Sequence, residues 1–147
     1  MSVTVAKTAG FCFGVRRAVA LAEEQAHEHG SIYAYGEIIH NMHEIERLEK
    51  MGVHTAHTIE EIPDGERVLI RAHGVPRAVY DAFRAKNCEI FDATCPFVHK
   101  IHRIVDEESR AGRLIVILGK EGHPEVEGIR GWCGESVVID GEQAAQT

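Results

Sequence analysis

The chain has 147 residues and a formal net charge of −7, with 44% hydrophobic and 27% charged residues. These values are typical of a globular protein with one good-sized domain or two small ones. The acidic balance offers no basic surface for nucleic acid, and no apolar run approaches the ~20 residues that a membrane helix needs.

The first residues and the cysteines bear on the cellular location. The segment MSVTVAKTAGFCFG lacks the basic stretch and long apolar core of a signal peptide, which predicts a cytoplasmic location. Four cysteines in a reducing compartment are more typical of thiols or metal ligands than of disulfides.

The first predicted elements surround a cysteine. Val3 and Val5 indicate a short strand, after which small residues lead to Cys12. A helix over 15–30 is predicted next, because apolar residues recur at helical spacing and Gly30 ends the run.

The rest of the chain alternates strands and helices in the same way. The pattern predicts, in order, a strand and turn in IYAYGE, a helix over 41–52, a turn over 62–66, a strand over 67–75, a helix in VPRAVYDAFRAKN, a strand in IFDATCP ending at Cys95, a helix over 97–112 and a strand in LIVILG. Such alternation predicts an α/β fold with parallel strands and right-handed crossovers.

Equal intervals indicate an internal repeat. The same interval of 83 residues relates Cys12 to Cys95, Gly36 to Gly119 and His40 to His123. We therefore predict one parallel-sheet α/β unit used twice, with residues 1–94 as the first unit and 95–147 as an incomplete second unit. One further period would place a third cysteine beyond Thr147, so the chain is expected to be part of a longer, three-unit protein.

The chemically interesting side chains fall between a predicted strand and the next helix. These are Cys12, His40, His73, Cys95 and His123. Parallel α/β units bind ligands at this edge, where helix N-termini favour anions such as phosphate and also favour thiolates. Glu125 is either an acid of the first helical turn or a proton-transfer group.

The remaining histidines and cysteines are interpreted as structural. Cys88 and Cys133 have no cysteine partner 83 residues away and are predicted to be ordinary thiols. The same interpretation covers His27, His29, His43, His54, His57, His99 and His102.

Two widely spaced cysteines suit some metal groups better than others. Zinc sites use close pairs such as C-x₂-C, which this chain lacks. Single cysteines from repeated units fit an iron–sulfur cluster, and three thiolates would leave one iron open to a substrate.

Five segments together resemble the motifs of the LytB/IspH family, the 4-hydroxy-3-methylbut-2-enyl diphosphate reductases. They are AGFCFGVRRAV, GEIIHN, RAHGVP, DATCPFVHKIH and GHPEVEGIRGWC, in family order. The resemblance implies three similar α/β units in a pseudo-threefold arrangement around a central [4Fe-4S] cluster, and it covers about the N-terminal half of the usual enzyme. The family's third cysteine ligand and its later substrate contacts would lie beyond residue 147.

The resemblance also implies roles for the residues singled out above. Cys12 and Cys95 match two of the three cluster ligands, and Glu125 matches the acid that delivers a proton. His40, His73 and His123 match the histidines that line the diphosphate pocket.

The family reaction reductively removes an allylic hydroxyl, giving isopentenyl and dimethylallyl diphosphate in the non-mevalonate pathway. Its electrons are expected from ferredoxin or flavodoxin. Two other functions stay open for this chain: a non-catalytic diphosphate-binding fragment, whose affinity would survive Cys12→Ser, and a zinc-binding structural domain, which a chelator would destabilise.

Overall fold

A computed structural model describes residues 2–141, which fold as alternating helices and strands. The helices are α1 (Phe13–His29), α2 (Met42–Lys50), α3 (Arg77–Ala85), α4 (Pro96–Arg110) and α5 (Pro124–Arg130). The strands are β1 (Ile32–Tyr35), β2 (Val53–Ala56), β3 (Arg67–Ile70), β4 (Glu89–Asp92), β5 (Ile115–Leu118) and β6 (Ser136–Ile139). Among the helices described, none is long and apolar enough to cross a membrane.

The first four strands form one parallel sheet in the order β2-β1-β3-β4. The chain therefore leaves β1 toward β2 on one side and returns to place β3 on the other side of β1. Neighbouring strands whose connections run in opposite directions open a crevice at their carboxyl ends, where α/β proteins bind ligands. This topology places the crevice between the loops that follow β1 and β3.

The second sheet repeats the first part of the first sheet. Ile32 pairs with Val53 in the β1–β2 ladder, and Ile115 pairs with Ser136 in the parallel β5–β6 ladder. Ile115 and Ser136 each lie 83 residues after their counterparts in the first ladder. The predicted fold class of repeated parallel-sheet α/β units is thus confirmed, while the unit boundary at Thr94 stays a prediction and residues 142–147 lie outside the described part.

Two apolar clusters hold the first sheet between its helices. On one face, Ala18 and Ala22 of α1 pack with Ile32 of β1, and all three are fully buried. On the other face, Phe83 of α3 packs edge-on against Tyr35 of β1, with ring centroids 5.3 Å apart. Because both faces are covered, the sheet is a rigid base for the loops at its carboxyl edge.

The predicted N-terminal strand is wrong. Val3 and Val5 are 88% and 74% exposed, and residues 2–12 contain no strand. A strand is stable only when its backbone pairs with a neighbour, and this segment lies against no sheet edge among the described residues. Two alternating valines were too short a pattern to predict pairing.

Arg17 connects the first helix to the joint at which the second unit begins. Its guanidinium, on the first part of α1, donates to the backbone carbonyl of Thr94 at 3.1 Å and to that of Asp92 at 3.2 Å. Both carbonyls belong to the joint in which β4 becomes α4. Arg17 therefore ties the helix after Cys12 to the joint that carries Cys95.

We expect Arg17→Met to lower the free energy of unfolding by about 1–3 kcal/mol, because two hydrogen bonds from a charged donor are lost. Denaturant unfolding followed by circular dichroism measures the change. Arg16→Met is the matched control, since Arg16 is exposed on the same turn and has no ion pair or side-chain hydrogen bond within residues 2–141. An equal effect of both substitutions would contradict the assigned role of the Arg17 contacts.

Candidate functional site

Cys12 and Cys95 occupy equivalent positions at the starts of α1 and α4. Each is the N-cap residue of its helix, with extended backbone, and Pro96 fixes the first turn of α4 after Cys95. Both thiols are free. A methyl group on Gly14 would lie 2.8 Å from the Sγ atom of Cys95, so α1 approaches the second cysteine closely only because residue 14 is glycine.

Asp92 organises the loop that carries Cys95. One of its carboxylate oxygens accepts a hydrogen bond from the Thr94 backbone N–H at 2.8 Å. The other accepts from the Tyr80 hydroxyl at 2.8 Å and lies 3.1 Å from Nε2 of His99. These contacts fix the loop, and burial together with the neighbouring Asp92 carboxylate raises the pKa of Tyr80 above its ordinary range.

The three predicted histidines form a triangle above the crevice. The ring centroid of His73 lies 5.0 Å from that of His40 and 6.0 Å from that of His123, and His40 and His123 are 6.5 Å apart. His40 follows β1 and His73 follows β3, so these two rings flank the point where the strand order reverses. His123 comes from the second unit, as the N-cap residue of α5.

Two observations bear on where the histidines of this triangle carry their protons. Burial lowers the pKa of His73 to about 4, with smaller contributions from His40, Arg71 and His123, so His73 is neutral at pH 7. The Nδ1 atom of His123 accepts a hydrogen bond from the Glu125 backbone N–H at 3.2 Å. In neutral His123 this leaves Nε2–H as the donor, which suits an oxygen acceptor such as a phosphate.

Arg71 is a residue of this region that the sequence did not single out. Its guanidinium lies against Gly36, where an added methyl group would clash with it, and its Nε atom is buried without a hydrogen-bond partner in the described chain. Burial lowers the pKa of Arg71. A partly buried cation beside His73 makes the floor of the crevice favourable for an anion.

A cavity of about 190 Å³ brings the two cysteines together with His73 and Glu125. Its lining consists of Cys12, Gly14, Val15, Ala72, His73, Cys95, Val98 and Glu125. Thiols, an imidazole and a carboxyl group thus share one open space that is also lined by apolar side chains. His40 and His123 lie outside this lining but within one ring contact of His73.

The other cysteines have ordinary packing environments. Cys88 lies 3.7 Å from the carbonyl oxygen of Pro63, and Cys133 donates to the carbonyl oxygen of Ile129 at 3.3 Å. Burial, with a smaller contribution from Asp106, raises the pKa of the Cys133 thiol. Neither residue lines the cavity that holds Cys12 and Cys95.

The donor groups around this cavity can be compared with the needs of different metal sites. Within residues 2–141, no group of three or more His, Cys, Asp or Glu side chains is arranged to hold a metal ion. A closed zinc site needs four such ligands, so the zinc-binding alternative has no support from the described residues. Two free thiols at helix N-termini beside a small cavity fit an iron–sulfur cluster whose third thiolate comes from elsewhere.

Fold and site together define an α/β protein of repeated parallel-sheet units, in which Cys12 at the start of α1 lies close to a cysteine and histidines that follow the carboxyl ends of strands. Residues 3–147 match the model of the LytB protein family. The chain belongs to this family.

Curated relatives carry the same name in different bacteria. The chain is 44% identical over 140 residues to the 4-hydroxy-3-methylbut-2-enyl diphosphate reductase of Clostridioides difficile (strain 630), a match that covers 95% of this chain and 50% of that protein. It is 41% identical over 145 residues to the reductase of Aquifex aeolicus (strain VF5), with the same shares covered. The chain therefore spans about half the length of the relatives that it matches.

Solved structures agree with this assignment. A structure of (E)-4-hydroxy-3-methyl-but-2-enyl diphosphate reductase matches with a TM-score of 0.83 and 40% identity, over 96% of this chain and 52% of that one. The E-1-hydroxy-2-methyl-but-2-enyl-4-diphosphate reductase from Plasmodium falciparum matches with a TM-score of 0.91 and 28% identity, over 95% and 45%. The protein in the first of these structures is described as the terminal enzyme of the non-mevalonate pathway.

Proposed function

We propose that this chain supplies half of the active site of a 4-hydroxy-3-methylbut-2-enyl diphosphate reductase. The observation that carries the proposal is the cavity shared by Cys12, Cys95, His73 and Glu125, with His40 and His123 beside it. The reaction adds two electrons and two protons to an allylic alcohol, so that the C–O bond breaks, a C–H bond forms and water leaves. The products are isopentenyl and dimethylallyl diphosphate.

The histidine triangle binds the diphosphate of the substrate in this proposal. Neutral His73 has a ring N–H to donate to a phosphate oxygen, and the Arg71 cation lies beside His73. Nδ1 of His123 accepts the Glu125 backbone N–H, which leaves Nε2 of His123 outside that contact. A neutral donor in a partly buried site helps to orient an anion without the cost of burying another charge. His40 is the third imidazole of the triangle, and its ring lies against that of His73.

Glu125 is the proton donor in this proposal. Its side chain lines the same cavity as the two cysteines, and its backbone N–H is held by His123. A protonated carboxyl group there is placed to give its proton to the departing hydroxyl, which then leaves as water. Val15 and Val98 supply the apolar part of the same lining.

Cys12 and Cys95 are two of the three cysteine ligands of a [4Fe-4S] cluster in the proposed enzyme. A cluster bound by these thiolates supplies the electrons and the Lewis acidity that the reaction requires. The third cysteine belongs to a third α/β unit, which completes a pseudo-threefold arrangement around the cluster. The repeat of 83 residues supports this arrangement, since it puts Cys12 and Cys95 in equivalent joints.

The electron donor and location follow from the same chemistry. A low-potential one-electron carrier, ferredoxin or flavodoxin, is proposed to reduce the cluster. All four cysteines of the chain are free thiols, which is the state maintained in a reducing compartment and supports a cytoplasmic location.

Anaerobic reconstitution with iron and sulfide tests the cluster assignment. The complementary half, meaning the half of the Clostridioides difficile relative that this chain does not match, provides the missing third unit. We expect this chain with the complementary half to turn brown and bind about four irons, and this chain alone to bind far less. Visible spectra and iron analysis measure both.

Cysteine substitutions provide the controls for that experiment. Cys12→Ser and Cys95→Ser should each abolish the brown colour, whereas Cys88→Ser should leave the iron content unchanged, because Cys88 lies outside the cavity. Diphosphate affinity that survives Cys12→Ser without any iron uptake would instead favour the non-catalytic binding alternative. Failure of the mixture to take up iron would refute the cluster assignment.

A further inference from the structure

Lys100 is an exposed cation on α4 that takes part in no ion pair or side-chain hydrogen bond within residues 2–141. It lines an open groove of about 540 Å³ that runs beside the first turns of α4, from Pro96 toward Trp132. Neighbouring Asp106 is already paired, with Arg77 at 2.5 Å and Arg110 at 2.9 Å. Lys100 is thus a cation at the edge of a groove, and it has no partner in the part of the chain that the structure describes.

The repeat gives Lys100 a counterpart whose partner is visible. Lys100 lies 83 residues after Arg17, at the same position relative to its N-cap cysteine. Arg17 donates to the backbone carbonyls of Asp92 and Thr94, in the strand-to-helix joint that leads into Cys95, where the following unit begins. In this repeat, the cation of the helix after one cysteine therefore binds the joint that leads into the next cysteine.

The face of α4 next to Lys100 exposes apolar side chains, whereas the exposed face of a helix in water is usually polar. Phe97, Ile101 and Ile104 are 72%, 37% and 43% exposed. The spacing of these residues puts them along one side of α4. An exposed apolar stripe next to an unpaired cation is typical of a surface that another element covers.

At one position the two helices differ, so α4 cannot contact a third unit in the same way as α1 contacts the joint at Cys95. Phe97 takes the place of Gly14, which is the residue that packs directly against Cys95. A phenylalanine is too large for that close approach, so the next unit must receive its ring in a pocket. The longer reach needed across this ring is compatible with a flexible lysine side chain.

We propose that Lys100 anchors a third α/β unit by donating to the backbone carbonyls of that unit's strand-to-helix joint, as Arg17 does for the second. The occupant of the groove and apolar stripe is this third unit, carried by the half of the full-length relatives that the chain does not match. The inference rests on the proposed function for the existence of a third unit. It adds the residue that holds the unit in place.

Mixing experiments without iron or substrate test this anchor. The unmodified 147-residue chain and the complementary half, prepared separately, should associate in isothermal titration calorimetry. We expect Lys100→Met to weaken the association about tenfold or more, since a hydrogen-bonded charge is lost. Lys100→Arg should bind within about threefold of the unmodified chain, because arginine serves the same purpose at position 17.

Lys50→Met is the matched control, a lysine on another helix. Lys50 is exposed at the end of α2 and does not line the groove. Its substitution should change the affinity by less than about twofold. Equal effects of Lys100→Met and Lys50→Met would overturn the proposal, and so would a complete lack of association by the unmodified chain.

The readout separates this inference from the proposed function. Association that depends on Lys100 but yields no iron uptake would support the anchor and refute the cluster assignment. If the mixture takes up iron and Lys100→Met weakens neither the uptake nor the association, the cluster assignment would be supported and the anchor refuted.

Discussion

Replacing Gly74 with alanine should destabilise the protein by about 3 kcal/mol, through backbone strain of ~1 kcal/mol and overpacking of ~1–3 kcal/mol. Gly74 has φ +71°, a conformation that side chains rarely adopt, and an added methyl group would lie 2.5 Å from Cε1 of His102. His102 is 1% exposed and stacks on Trp132, so its ring has no room to move away. Thermal and denaturant unfolding of Gly74→Ala measure the loss.

Gly65→Ala separates backbone strain from the clash. Gly65 has φ +80°, and an added methyl group there would meet nothing within 4 Å. Gly65→Ala should therefore lower the free energy of unfolding by only about 1 kcal/mol. Equal losses for the two variants would mean that the contact between Gly74 and His102 is not tight in solution.

Gly74 also matters for the site because it directly follows His73. A shift of the Gly74 backbone moves the imidazole that lies at the meeting point of the histidine triangle and the cysteine cavity. We therefore expect Gly74→Ala to reduce iron uptake in the mixture with the complementary half, whereas Gly65→Ala should not.

Acid should destabilise the protein well above the pH at which carboxylates titrate. Burial lowers the pKa of His102 from 6.5 to about 4, with a smaller contribution from His99, and Asp92 acts in the opposite direction. As the pH falls from 6.5 to 4, His102 therefore binds a proton in the unfolded chain but stays neutral in the folded chain. The free energy of unfolding decreases over this range as a result. The loss reaches at most about 3 kcal/mol for His102, at ~1.4 kcal/mol per pKa unit.

His102→Gln isolates this contribution. Glutamine stays neutral, so the free energy of unfolding should fall less steeply between pH 6.5 and 4 than it does for the unmodified chain, whatever its value at pH 7. His43→Gln is the control, because His43 is exposed on α2. A slope that is the same for His102→Gln and His43→Gln would show that His102 is not held neutral in the folded protein. His73, with its pKa of about 4, adds to the slope in all three proteins.

The sequence predicted the repeating parts of this molecule well because local pattern and chain interval determine them. Alternating apolar runs and glycine stops located β1, β3, β4 and β5 and the helices α1 to α4, and the 83-residue interval indicated a repeat that the matching ladders of β1–β2 and β5–β6 display. The prediction that Cys12, His40, His73, Cys95 and His123 lie at one edge depended on a single rule about the carboxyl ends of parallel strands. The structure brings these residues close together, although Cys12 follows no strand in the described part of the chain, and their chemical roles stay predictions.

The remaining features arise from contacts between distant segments, which no local pattern encodes. Arg71 lies in a predicted strand, and only the approach of Gly36 shows that its side chain reaches the crevice. His102 resembles the other helical histidines in sequence, yet its ring fills the space behind Gly74 and Thr94. The N-terminal strand failed for the opposite reason, since the pattern of Val3 and Val5 was present but the segment pairs with no strand among residues 2–141.

The distance along the chain between the two cysteine joints sets an order of events during synthesis. Cys12 leaves the ribosome early, but the joint that Arg17 grips, with Cys95 at its end, follows 83 residues later. At ~5–20 residues per second, that interval is roughly 4 to 17 s. During this time β1, β2 and β3 of the first sheet can already pair, while Cys95 has not yet been made. The cavity that the two cysteines share therefore forms only after the joint at Cys95 is complete, and a ligand that needed both thiols would have to bind after that point.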